Sequence, residues 1–86
     1  MNAVSENLMR AVRRAIESGP LADTVRDVQI EPGCDEDDEE FLRVVLSMRL
    51  PHKNVDAQLE ALLERIEEAV AAVDDRYPSV RFLDAA

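Results

Sequence analysis

The sequence predicts an α+β fold: a small α-β-β-α-β two-layer sandwich, with two helices on one face of a three-stranded sheet. Three observations carry this expectation. Apolar residues recur every three or four positions over residues 3–18 and again over 55–76, the period of a helix that buries one face. Between them, Leu42, Val44, Leu46, Met48 and Leu50 alternate with Phe41, Arg43, Val45, Ser47 and Arg49, the period of a strand. The 86 residues fit one domain, 1–86, and a domain this small buries only about 60 to 65% of its unfolded surface, so its stability is expected to be modest.

The first helix, residues 3–18, places Val4, Leu8, Val12, Ala15 and Ile16 on one stripe, with Met9 at its border. Asn2 or Ser5 can cap its start, and Gly19-Pro20 stops it, because proline cannot continue the hydrogen-bonded ladder. Arg10, Arg13 and Arg14 project from the opposite side, as a solvated face or as a basic docking patch. A first strand follows over residues 24–31. Val28 and Ile30 occupy one face of it, and Val25, Asp27, Gln29 and Glu31 the other.

Pro32-Gly33 ends that strand and opens an acidic tip, residues 33–40. The second strand, residues 41–50, turns its Leu/Val/Met set toward the helices. Arg43 and Arg49 then lie where they can pair across the hairpin with Glu31 and Asp27. Pro51 closes this strand. Asn54 is the expected cap of the long helix over residues 55–76, whose stripe is Val55, Leu59, Leu62, Leu63, Ile66, Val70, Val73 and Tyr77. About 22 helical residues span roughly 33 Å, longer than a typical strand, so the helix is expected to overhang the sheet. Tyr77-Pro78 ends it, and residues 79–83 form a third strand, either parallel to the second or antiparallel beside the first.

Charge is distributed unevenly along this framework. The net charge is −9, and residues 31–40 alone hold seven acidic groups and no basic one. An acidic balance opposes binding to a nucleic-acid backbone, so no nucleic-acid partner is expected. No run of about 20 apolar residues is available to span a membrane, the first residues do not read as a signal peptide, and the expected location is cytoplasmic. Cys34 is the single cysteine, which excludes an internal disulfide.

The candidate interaction residues follow from this charge. Asp35, Glu36, Asp37, Asp38, Glu39 and Glu40 form a local negative pole suited to steering a basic protein partner, or simply a solvated tip that keeps edge strands apart. The tip does not fit a calcium loop. Counting from Asp35, the glycine needed at the sixth position is Glu40 and the glutamate needed at the twelfth is Leu46. Cys34 and His52 would make a thiol-imidazole site only if adjacent, whereas about ten strand residues, roughly 33 Å, separate them. With Phe41, Tyr77 and Phe82 the only aromatics, little material exists to line a large pocket. No catalytic residues, cofactor or metal are therefore expected. The outer sheet face carries Val25, Phe41, Arg43 and Val45, an apolar patch that predicts self-association into a homo-oligomer.

Two functions fit these features. The first is a non-catalytic interaction module whose acidic tip docks on a basic partner, in the manner of an inhibitor, an antitoxin or an adaptor. The second is a ligand- or metal-tuned oligomerisation domain. In element order, the segment from Phe41 to Leu50, the helix through Tyr77 and the closing Val80 to Leu83 resemble the cytoplasmic C-terminal domain of cation diffusion facilitator transporters. That resemblance implies a regulatory role, and of the metal-binding histidines it implies only His52 is present.

Overall fold

A computed structural model describes residues 4–49 and 54–84. Leu50 and His52, and with them the predicted end of the second strand and the reading of that histidine, lie outside the described residues. In order, the chain forms helix α1 (Glu6–Glu17), a single 3₁₀ turn (Ala22–Thr24), strands β1 (Val25–Cys34) and β2 (Glu40–Met48), helix α2 (Asp56–Ala71) and strand β3 (Tyr77–Asp84). This is the α+β arrangement that the hydrophobic periods predict.

Strand β2 is central, antiparallel to β1 and parallel to β3. Of the two positions open to the third strand, the chain uses the one that makes β2-α2-β3 a βαβ unit. The core is the inward face of the sheet against both helices: Leu42, Val44, Leu46 and Met48 of β2 meet Leu8 and Val12 of α1 and Leu62, Ile66 and Val70 of α2, all fully buried. Val28 and Ile30 complete it from β1, while Val80 and Phe82 of β3 pack on it half-buried.

Local chemistry sets the helix ends. Ser5 caps α1, its side chain accepting the Leu8 N–H at 3.1 Å. At the other end Arg65 of α2 donates through Nε to the Ala15 carbonyl at 3.1 Å and through Nη2 to Ser18 Oγ. A guanidinium there meets the negative end of the helix dipole. Gly19 makes the approach possible, because a Cβ at that position would stand 2.7 Å from Arg65 Nε. Asn54 Oδ1 accepts the Asp56 N–H at 3.1 Å, doing the capping one residue ahead of Val55.

Two expectations are corrected. Helix α2 ends at Ala71, not Arg76, so its 16 residues span about 24 Å, within the length of the sheet rather than beyond it. Its last bonds are Val73 N–H and Asp74 N–H to the Val70 carbonyl, after which Asp74 turns the chain by accepting the Arg76 N–H at 2.9 Å. Second, the pairing of β1 with β2 shifts register between Val25 and Asp27, so that Val25 stands opposite Met48 while Asp27 stands opposite Ser47. Arg26 is the extra residue of a β-bulge, and one extra residue turns everything before it to the other face. Val25 therefore packs against the core instead of lying on the outer face. The same shift sets Arg49 N–H on the Thr24 carbonyl, so Arg49 does not stand opposite Asp27.

Candidate functional site

The hairpin that joins β1 to β2 is shorter than the sequence predicts. Gly33, Cys34 and Glu40 are paired strand residues, with Gly33 opposite Phe41 and Cys34 opposite Glu40, and only Asp35 to Glu39 form the connection. Its backbone is a tight turn: Asp38 N–H donates to the Asp35 carbonyl at 3.1 Å, and Asp35 N–H to the Glu39 carbonyl at 3.0 Å. Asp38 sits at φ 60° in the left-handed region, as does the residue that follows the two central turn residues in a short hairpin loop.

Asp35 organises this turn through its side chain. Its Oδ1 accepts two backbone N–H groups, from Asp37 and Glu39, each at 2.9 Å, and its Oδ2 accepts the hydroxyl of Tyr77 at 3.2 Å. The Glu39 N–H, together with the Asp37 N–H and the tyrosine hydroxyl, favours the carboxylate and holds the Asp35 carboxyl below its ordinary value against a smaller opposing effect of desolvation. Tyr77 is shifted upward by desolvation and by its bond to the negatively charged Asp35. One of the six acidic tip residues is thus a structural part of the turn. The other five, Glu36, Asp37, Asp38, Glu39 and Glu40, are exposed.

The outer face of the sheet next to the turn is not bare. Phe41 points outward yet is only 9% exposed. The Tyr77 ring stacks on it with centroids 5.5 Å apart and planes 21° apart, and the Arg43 guanidinium lies 5.6 Å over its centre. On the other side its ring lies over Gly33, where a Cβ would stand 2.8 Å from Phe41 Cζ. Phe41 is therefore covered within its own chain, which corrects its reading as part of a bare patch. Along the same face Arg43 stands between Glu31 and Ser79, and half-buried Val45 between Gln29 and Arg81.

Tyr77 is the residue whose part the sequence pattern hid. Its spacing fits the apolar stripe of the second helix, but it is the first residue of β3 and stands opposite Phe41. The signal was Pro78, which drives the residue before it into the extended region. Arg76, just before it, donates through Nε and Nη2 to Asp74 at 2.9 and 2.8 Å. Those bonds hold the Asp74 carboxyl at about 2, well below the usual carboxylate range. Arg76 also feels Glu40, so one basic group borders the acidic pole.

Two open depressions flank these features. One of about 150 Å³ is lined by Pro32, Gly33, Cys34, Glu40 and Arg76, and one of about 130 Å³ lies between the end of α1 and β1 around Arg13, Ile16 and Arg26. Both fall below the roughly 300 Å³ of the smallest usual ligand sites. Among the described residues, no three His, Cys, Asp or Glu side chains are grouped to hold a metal ion, and no helix is long and apolar enough to cross a membrane. Cys34 is exposed beside the turn.

Comparison with family models, with curated proteins and with solved structures gives no match. The functional reading therefore rests on the geometry of the hairpin and the sheet.

Proposed function

We propose that this chain is a non-catalytic protein-interaction module of the cytoplasm, and that its acidic hairpin turn docks on a basic surface of a protein partner. The observation that supports this is the division of labour within the turn. Asp35 is spent on holding the backbone, through two N–H groups and the Tyr77 hydroxyl, while Glu36, Asp37, Asp38, Glu39 and Glu40 stand exposed around it. A fixed loop loses less conformational freedom on binding than a mobile acidic tail, so more of the charge attraction is retained as affinity. Concentrated negative charge also raises the rate of encounter with a basic surface and orients it.

The test separates charge from fold. Glu36→Gln, Asp37→Asn, Asp38→Asn and Glu39→Gln are combined while Asp35 is kept, so that the turn retains its hydrogen bonds. Wild type and variant are used to capture partners from native lysate at low and high salt. The expected outcome is a basic partner held by wild type, released by salt and missing with the variant. An identical set of partners with both chains refutes the reading.

A further inference from the structure

We draw no further inference here: the strongest candidate, the exposed apolar surface of Val73, Tyr77 and Leu83 at and just before the edge strand β3, carries none, because nothing in the structure shows what covers it.

Discussion

Tyr77 donates its hydroxyl to Asp35 across 42 positions of sequence, tying the first residue of β3 to the turn that joins β1 to β2. One side chain thereby couples the acidic turn to the far edge of the sheet. Its ring covers Phe41 while its hydroxyl completes the set of donors on Asp35. Tyr77→Phe keeps the first role and removes the second. The Asp35 carboxyl is then expected to titrate at higher pH than in wild type, followed by its side-chain carbon signal in NMR, with the aromatic signals of residue 41 little changed. A titration that does not move would show that the backbone N–H groups alone set the acidity of Asp35.

Gly33 is required by the Phe41 ring. The Cβ of an alanine would come within 2.8 Å of Cζ, and the ring has little room to yield because Tyr77 and Arg43 cover its other side. Gly33→Ala is expected to cost about 1 kcal/mol, at the lower end of overpacking penalties, and to increase the exposure of residue 41. Urea unfolding monitored by circular dichroism measures the first effect, and near-ultraviolet signals report the second.

Asp38 occupies the left-handed region without the freedom of glycine, at φ 60°. Asp38→Gly is expected to stabilise the fold by about 0.5 kcal/mol, because the strain removed exceeds the extra entropy of the unfolded glycine. A lower unfolding midpoint in urea would contradict this. The variant also removes one charge from the exposed set while keeping the turn, which makes it a mild probe of docking.

Acid should weaken the fold through Asp74. Its carboxyl lies at about 2, against an ordinary value of 3.8, because Arg76 donates to it from both side chain and backbone. A carboxyl with a depressed folded-state pKa contributes stability that is fully present above the unfolded value and is lost as pH falls toward the folded one. The contribution is expected to be complete at about pH 5 and to fade from about pH 4 down to 2, with a size of about 1 kcal/mol for a pair that retains some contact with solvent. Asp74→Asn should show a smaller loss of stability over that window than wild type, measured by urea unfolding at a series of pH values.

What could be read from the sequence was whatever depends on short-range periodicity. The alternation from Leu42 to Met48 predicts a strand buried on one side, and each of its inward residues is fully buried. The stripe of α1 is equally clear in Leu8, Val12 and Ile16. Errors arose where one residue satisfies two patterns. Tyr77 fits both the helical stripe and the extended residue before a proline, and the second constraint prevails because it is steric. Val25 fits a simple alternation with Asp27 until the extra residue Arg26 reverses its face. The seven acidic groups of residues 31–40 were visible as charge, but the selection of Asp35 as keystone needed the turn geometry and a hydroxyl from β3. Arg65 was hidden most completely, since it reads as one more charge on a solvated helix face and its acceptors lie 47 and 50 residues away.

That arginine bears on the order in which the molecule is completed. A helix of 12 residues has little stability on its own in water, and α1 leaves the ribosome well before either the strands beneath it or the guanidinium that closes its last turn. Of the described elements α1 is synthesised before the others, yet it is among the last to be secured. Until Arg65 arrives, the N-terminal segment depends on the second half of the chain to become the helix that its own residues specify.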